Sequence, residues 1–497
     1  MSGSDENPIR VAELFAGVGG FRLGLEGDVY EFVFSNQWEP GETKQWASKI
    51  YEERFGPEGH SNDDIHDIAF NEGEMAETIR ERVPEHDLLV GGFPCQDYSV
   101  ARTISGELGI KGEKGKLWVP IRNIIRDKRP RPKVVLLENV PRLLNSPANA
   151  RGLNFAIILN DLLTLGYEVE WRVINAADYG MPQQRSRVFI LAYRTPGDMS
   201  KQTIKANGTD RFCAPNRNRG PLSMWLLGKS TSKAASKWEK GPFAEAFPVT
   251  GNLGKKYDLI PPVLSVFTAK SSPFGNAGYA YRTRAGDKPR ENRFWSTKVK
   301  ADYDGERATL GGVLVDEHDP HYELDNENGL LDRYAYMKGE QKEWRIRKED
   351  AGKAREIEGD LWALYQKCTR GYRTDWWADS RDDSRYLAGL EQGLIYNYTA
   401  GAMAYPDPLD KASRTVVTAE IGKSVSRMRH VIEYEEGKFR GLMPLELERL
   451  NMFPDNWTDI DGITDSRRGF MMGNALVVGV VRKLAGPLAR LMRDRSQ

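Results

Sequence analysis

A single cysteine stands at the end of an apolar run in the stretch LLVGGFPCQDYS, residues 88–99. A thiol buried inside such a run would be inert. Cys95 instead follows Pro94 where the run gives way to polar residues, as a strand does when it opens into a loop. This position indicates a reactive thiol, and the alternative interpretation is a structural cysteine.

Two more sets of polar side chains accompany apolar runs in the same part of the chain. Glu138 and Asn139 end the run KVVLLENV, and burial at the end of a strand raises the pKa of a carboxyl group. In PQQRSRV, Arg185 and Arg187 are two residues apart, so on an extended segment both point to one face. The alternatives are an ion-paired carboxylate and two surface arginines.

A glycine-rich turn follows the first apolar run, in ELFAGVGGFRLGLE. Such a turn lets the backbone approach a ligand closely, and this one lacks the GKS or GKT of a phosphate-binding loop. The next two strand ends carry SNQWEP and DDIHDI. Together the three ends predict a cofactor with a nucleoside and little phosphate, and a plain structural turn is the alternative.

These residues require a sheet that brings several strand ends together. The runs RVAELFAG, YEFVFSNQW, HDLLVGGFPC, KVVLLENV and RVFILAYR are typical of strands, and residues 152–166 of a crossover helix. This alternation predicts a parallel, doubly wound α/β sheet that binds ligands at the carboxyl ends of its strands. The alternation of strand and helix patterns is lost from 196 to 435, which indicates an inserted domain. Regular patterns return in LMPLELERLNMF and NALVVGVVRKLAGPLARLMR, which are typical of helices.

Composition narrows the class of protein. A chain of 497 residues with 40% hydrophobic content exceeds the usual size of one domain. The three cysteines (Cys95, Cys213 and Cys368) form no CxxC pair, which argues against a disulfide framework and a zinc site. Neither a membrane-length apolar run nor a signal peptide is found, so we expect a cytoplasmic protein.

The net charge of +0 hides a basic segment. Residues 201–300 contain 19 Lys and Arg against 6 Asp and Glu. The aromatic residues of this segment include Trp225, Trp238, Phe274, Tyr279, Tyr281 and Trp295. This composition is typical of a surface that follows phosphates and stacks on bases, and a solvated, salt-bridged face is the alternative.

Six stretches resemble, in the same order, those of the cytosine-5 DNA methyltransferase family. They are FAGVGGFRLGLE, GGFPCQDYS, LLENVPRLL, YGMPQQRSRVFIL, RGLMPLELERLNMFPD and GFMMGNALVVGVV. The resemblance covers roughly residues 8–195 and 410–485. It implies a Rossmann-like catalytic domain, residues 1–195 plus 436–497, that uses S-adenosylmethionine, with an irregular, mixed target recognition domain inserted at 196–435.

The resemblance also implies covalent catalysis on a cytosine flipped out of duplex DNA. Cys95 would add to carbon 6 and make carbon 5 nucleophilic toward the methyl group. A protonated Glu138 would donate a hydrogen bond to ring nitrogen 3, and Asn139 would orient the loop or Glu138. Arg187 would contact the cytosine carbonyl oxygen, with Arg185 supporting the site. No side chain is identified for removing the carbon 5 proton.

The cofactor would lie along the first three strand ends. The contacts that the resemblance implies are Phe15, Gly17 and Gly19, Trp38 against adenine, Asp64 and Ile65 at the adenine edge, Pro94, and Asn474 over the methionine part. The acidic residue that the family uses for the ribose is replaced here by Gln37, whose amide oxygen accepts one hydrogen bond. Glu39 is an alternative acceptor, and no metal site is predicted.

The expected partner is double-stranded DNA, read in the major groove by the recognition domain. Arg414 and Thr415 resemble the segment just before the family's fifth stretch, which marks the C-terminal boundary of that domain. The composition of residues 97–117 suits a mobile lid that closes over the DNA. We expect a monomer on DNA, nucleoid-associated in a prokaryote, within a restriction-modification or other defence system that includes partner proteins. The alternatives are a tRNA cytosine-5 methyltransferase and a DNA-binding relative without catalysis.

Overall fold

The structure is a computed structural model in two compact units. It describes residues 7–70, 76–94, 117–194, 241–251, 255–258, 267, 270–282, 291–326, 330–338, 343–371, 382–398, 403–422, 425–426 and 428–493. The first unit comprises Met1–Ala308, Glu448–Ile463 and Ala475–Gln497, and the second comprises Thr309–Leu447 and Thr464–Asn474. These bounds differ from the predicted insertion at 196–435, whose role in target recognition stays a prediction.

The first unit is built on strands joined by helices. Its strands are β1 (Ile9–Leu14), β2 (Tyr30–Asn36), β3 (His60–Ser61), β4 (Leu88–Gly92), β5 (Val134–Asn139), β6 (Tyr167–Asn175), β7 (Ser186–Arg194), β8 (Val249–Gly251), β9 (Lys255–Asp258), β10 (Ala277–Arg282), β11 (Asn292–Thr297) and β12 (Val299–Ala301). Its helices are α1 (Gly20–Gly24), α2 (Trp46–Phe55), α3 (Ile65–Ala69), α4 (Ala76–Arg82), α5 (Trp118–Asp127), α6 (Leu153–Thr164), α7 (Pro242–Ala246) and α14 (Val478–Arg493), with 3₁₀ turns at Pro141–Asn145 and Ala176–Tyr179.

Ten of these strands form one sheet, in the order β3-β2-β1-β4-β5-β7-β6-β10-β11-β9. Strands β3, β2, β1, β4 and β5 are mutually parallel, and the strand order reverses at β1. The loops after β1 and β4 therefore flank the switch point, where ligands bind in open α/β sheets. All five predicted strands and the helix predicted over 152–166 are confirmed.

One strand departs from the all-parallel prediction. β7 pairs antiparallel with both β5 and β6. Only residues 176–185 connect β6 to β7, and a parallel neighbour needs a crossover of about a dozen residues or more. The connection is therefore too short for a parallel crossover. The sequence patterns also missed β6 itself.

Both faces of the sheet are buried, as a doubly wound fold requires. Alternate residues of β1, including Ala12 and Leu14, pack with α3, α5 and α6 on one face. Ile9 and Val11, whose side chains point to the opposite face, pack with α1 and α14. The predicted fold class, an α/β sheet covered by helices on both sides, is confirmed in this unit.

The last three strands of the sheet come from the segment whose pattern looked irregular. β10 pairs with β6, and β11 and β9 follow it. Phe274 and Tyr279 are buried, and Phe274 packs against Phe155 and Trp171. The prediction of a base-stacking surface is therefore wrong for these two rings, which serve the core, whereas Trp225 and Trp238 lie outside the described residues.

The second unit combines short strands and helices. Its strands are β13 (Glu323–Leu324), β14 (Glu343–Ile346), β15 (Ile395–Tyr398), β16 (Ile432–Glu435) and β17 (Lys438–Arg440). Its helices are α8 (Leu330–Lys338), α9 (Ala351–Glu356), α10 (Leu361–Gly371), α11 (Ser384–Glu391) and α13 (Asp465–Asn474), with 3₁₀ turns at Gly311–Val313, Pro320–Tyr322 and Lys348–Asp350. Helix α12 (Pro444–Leu450) begins in this unit and ends in the first, and it confirms, as α14 does, a helix predicted near the end of the chain.

A buried ionic cluster stabilises the second unit. Asp407 accepts hydrogen bonds from Lys338 at 2.8 Å and from Arg414 at 2.6 Å. Arg414, predicted at the rear boundary of the recognition domain, is thus held by this carboxylate. Among the residues that the structure describes, no helix is long and apolar enough to cross a membrane.

Candidate active site

The ends of β1, β4 and β5 meet at one edge of the sheet. Gly91 pairs with Leu14, and Gly92 pairs with Glu138. A Cβ added to Gly91 would lie 2.7 Å from the carbonyl oxygen of Leu14, so this position needs glycine for close approach. The register brings Glu138 beside the strand that leads through Pro94 to Cys95. Cys95 and residues 97–116 of the predicted lid lie outside the described residues.

Glu138 is a largely buried carboxyl group at this edge, paired with an arginine. Its carboxylate lies 2.8 Å from Nε of Arg187, and its side chain is 13% exposed. Burial raises the pKa of Glu138, while the charges of Arg187 and Arg185 act to lower it. The effect of burial prevails, which favours a protonated carboxyl group despite the ion pair. The ion pair that the sequence left as the alternative is thus present, while burial favours the protonated form.

Arg185 and Arg187 both act on Glu138, as their spacing predicted. Arg185 is 1% exposed, and burial together with the charge of Arg187 lowers its pKa to about 9. Arg185 precedes β7 and lies 3.5 Å from the amide oxygen of Gln183. Gln183 donates to the carbonyl oxygen of Leu450 at 3.2 Å and to Asn451 at 3.0 Å. The sequence patterns did not select Gln183, because its partners lie far along the chain.

Asn139 joins the ends of β4 and β5. Its Nδ2 donates to the carbonyl oxygen of Phe93 at 2.8 Å, and its Oδ1 accepts from the backbone N–H of Val140 at 2.8 Å. The side chain is buried. Asn139 therefore holds the backbone two residues before Cys95, which is an orienting contact to the loop.

The first glycine loop adopts a left-handed backbone at three positions. Phe15 has φ 54°, Gly17 has φ 56° and Gly19 has φ 88°. The conformation is costly for Phe15, which carries a Cβ, so the surroundings must hold it. Oε1 of Gln37 accepts a hydrogen bond from the backbone N–H of Gly17 at 2.8 Å. The loop and the end of β2 are thus tied together.

The residues predicted to hold the ribose already have protein partners. The amide oxygen of Gln37 is engaged by Gly17, and Oε2 of Glu39 accepts from the backbone N–H of Ala47 at 2.9 Å. A ribose hydroxyl would therefore share or displace one of these bonds.

The remaining predicted cofactor residues follow β2 and β3. Trp38 is 37% exposed, which leaves an aromatic face open at the end of β2. Ile65 is buried, and Asp64 accepts at the start of α3 from the backbone N–H of His66 at 2.9 Å. Asn474 ends α13 in the second unit.

A buried polar network lies behind the glycine loop. Glu13 is 0% exposed and accepts from the hydroxyl of Tyr51 at 3.0 Å. Burial raises the pKa of Glu13 to about 8. His60 stacks on Tyr51 with ring centroids 4.6 Å apart, and burial lowers the pKa of His60 to about 4. The sequence patterns did not select Glu13, although a carboxyl group inside an apolar strand is a signal that could have found it.

The similarity of this chain to known proteins extends over most of its length. The family model described as C-5 cytosine-specific DNA methylase matches residues 9–233 and 295–490. The type II methyltransferase M.Sau3AI of Staphylococcus aureus is 34% identical over 98% of this chain and 96% of its own length. The type II methyltransferase M.HhaI of Haemophilus parahaemolyticus is 34% identical over 37% of this chain and 49% of its own length.

Among solved structures, one methyltransferase is similar to this chain over nearly its whole length. The S. pombe Dnmt2 methyltransferase has a TM-score of 0.47 and 13% sequence identity, covering 97% of this chain and 98% of its own. The family match spans most of the present sequence, and the M.Sau3AI match spans nearly all of it. By these matches, this chain is an enzyme of the C-5 cytosine-specific DNA methylase family.

Proposed function

We propose that this enzyme methylates carbon 5 of a cytosine flipped out of double-stranded DNA, with S-adenosylmethionine as methyl donor. The observation that carries the proposal is the position of Glu138, a buried carboxyl group with a raised pKa beside the strand that leads to Cys95. A carboxyl group in that state can donate a proton where a carboxylate cannot.

The proposed chemistry begins at Cys95. Its thiolate adds to carbon 6 of the ring, and the electron pair of the carbon 5–carbon 6 double bond moves toward nitrogen 3. Glu138 donates its proton to nitrogen 3, which neutralises the charge that develops there. Carbon 5 then forms a bond to the methyl group as the bond between that group and the sulfonium sulfur of the donor breaks. Loss of the carbon 5 proton to water expels the thiolate, and nitrogen 3 returns its proton to Glu138, which restores the ring.

The arginines and Asn139 set the geometry for these steps. Arg187, 2.8 Å from Glu138, would contact the cytosine carbonyl oxygen while it holds the carboxyl group. Arg185 supports the site from its buried position, and its charge limits how far the pKa of Glu138 rises. Asn139 fixes the backbone at Phe93 and so the approach of Cys95.

The chemistry of the strand ends fits S-adenosylmethionine. Trp38 offers an exposed aromatic face, and among the described residues no atom lies within 4 Å of a Cβ built on Gly17. Bound there, the cofactor supplies an electrophilic methyl group. The residues proposed to hold it are Phe15, Gly17, Gly19, Gln37, Trp38, Asp64, Ile65, Pro94 and Asn474.

The surrounding biology follows from the same proposal. Residues 196–435 would recognise the DNA sequence, and the relatives named type II methyltransferases suggest a role in restriction-modification. We propose a monomer that acts on DNA in the cytoplasm, associated with the nucleoid of a prokaryote. Protein partners from a defence system remain part of the proposal.

A single assay separates this function from its two alternatives. Purified protein is incubated with labelled S-adenosylmethionine and either duplex DNA or transfer RNA, with Cys95→Ser as the matched variant. Label in DNA that disappears in the variant supports the proposal. Label confined to RNA would favour a tRNA methyltransferase, and binding of DNA without any label would favour a silent relative.

A further inference from the structure

The chain segment that resumes after the inserted residues lies against the first glycine loop. Nε1 of Trp457 donates to the carbonyl oxygen of Val18 at 2.8 Å, and this hydrogen bond is buried. The Trp457 ring packs edge-on against Phe55, with centroids 5.4 Å apart. Phe55 in turn contacts Gly19 so closely that a Cβ there would clash. One aromatic pair thus contacts the loop at Val18 and at Gly19.

The turn that carries Trp457 is itself held in place. The buried carboxylate of Glu448 accepts from the backbone N–H groups of Trp457 at 3.1 Å and Thr458 at 2.9 Å. Arg54 of helix α2 donates to the carbonyl oxygens of Trp457 and Asn456, each at 2.8 Å, and to that of Asp459 at 3.0 Å. Trp457 is therefore a fixed donor.

The glycine loop needs such support from outside. Its left-handed residues on both sides of Val18, and Phe15 above all, persist only where their surroundings determine them. Losing one buried partner would leave the Val18 carbonyl group unsatisfied and let the loop sample other conformations. A binding loop that is less ordered beforehand binds its ligand more weakly, since ordering then costs free energy on binding.

We propose that Trp457 is a positioning residue for the first glycine loop, so that cofactor affinity depends on the segment 448–463. This inference rests on the proposed function, in which the loop binds S-adenosylmethionine. Because such coupling is reciprocal, the bound cofactor should also protect the segment 448–463 from local opening.

The test compares two matched variants by calorimetric binding of S-adenosylhomocysteine. Trp457→Phe removes the donor to Val18, and Trp171→Phe removes a similar buried donor, to the carbonyl oxygen of Gly275 at 3.2 Å. We expect the Kd to rise roughly fivefold or more for Trp457→Phe, and to stay within about twofold of wild type for Trp171→Phe. Hydrogen exchange should show that the ligand protects residues 448–463 in wild type and in Trp171→Phe but less in Trp457→Phe.

Each outcome has a distinct meaning. If wild type binds no S-adenosylhomocysteine, the proposed function fails. If wild type binds and both tryptophan variants match it, the positioning role of Trp457 is refuted. Should Trp457→Phe not fold, Arg54→Gln releases the same turn from outside the core. An unchanged Kd and unchanged exchange protection in that variant would equally overturn the proposal.

Discussion

The buried carboxyl group of Glu13 predicts an unusual dependence of stability on pH. Burial raises its pKa from 4.5 to about 8 in the folded state. The folded chain therefore keeps a proton that the unfolded chain loses between these two values. The stability that this retained proton contributes is fully present below about pH 4.5 and declines as the pH rises toward about 8. The reason is that the unfolded state binds fewer protons than the folded state between these two pH values.

The variant Glu13→Gln removes this titration and keeps an oxygen that accepts from Tyr51. Each pH unit between the two pKa values costs wild type about 1.4 kcal/mol. Relative to wild type, the variant should therefore gain stability on the order of 3 kcal/mol between about pH 5 and about pH 8. Other titrating groups occur in both proteins, so they largely cancel in the difference.

Urea denaturation followed by circular dichroism at several pH values measures this difference. Glu31→Gln is the matched control, because it makes the same substitution at an exposed position of the neighbouring strand β2. The reasoning is refuted if the difference between wild type and Glu13→Gln is the same at every pH. Glu13 would then not hold its proton in the folded protein.

Three further predictions concern the strand ends. Glu138→Gln should lower kcat on duplex DNA by about 100-fold and leave the binding of S-adenosylhomocysteine unchanged. Wild-type activity should fall as the pH rises through the raised pKa of Glu138, whereas the activity of the variant should not show this fall. An identical pH profile in both proteins would contradict the role of Glu138 as proton donor. Asn139→Ala should lower the free energy of unfolding by about 1–3 kcal/mol in urea denaturation, because the hydrogen bond from Asn139 to the carbonyl group of Phe93 is lost. An unchanged free energy of unfolding would mean that this contact is unimportant. Gly91→Ala should lower the melting temperature, because the added Cβ would lie 2.7 Å from the carbonyl oxygen of Leu14. Gly352→Ala is the control and should have little effect, because no described atom lies within 4 Å of its added Cβ. Equal melting temperatures of the two variants would count against close packing at Gly91.

Some of the sheet was predictable because its signal is local. Short apolar runs bounded by glycine and polar residues mark β1, β2, β4, β5 and β7 without reference to distant parts of the chain. Their carboxyl ends must meet once the strands are parallel, so Glu138 could be assigned to the same edge as the strand leading to Cys95. The predicted parallel direction of β7 was wrong, because the direction depends on the length of its connection to β6.

Burial in the segment 249–301 could not be predicted from its composition. Phe274 and Tyr279 have the residue types of a base-stacking surface, yet they pack in the core because β10 joins the sheet beside β6. Which strand a segment pairs with depends on the whole sheet, and no local pattern carries that information.

The resemblance of six short stretches identified the family, and residue types with their spacing predicted the α/β class and the chemistry of the strand ends, because these depend on short stretches of sequence. Folding decided the protonation state that burial favours at Glu13 and Glu138, and the supports that Gln183 and Trp457 provide. Those properties arise from desolvation and from partners more than 250 residues away, and only the folded chain brings them together.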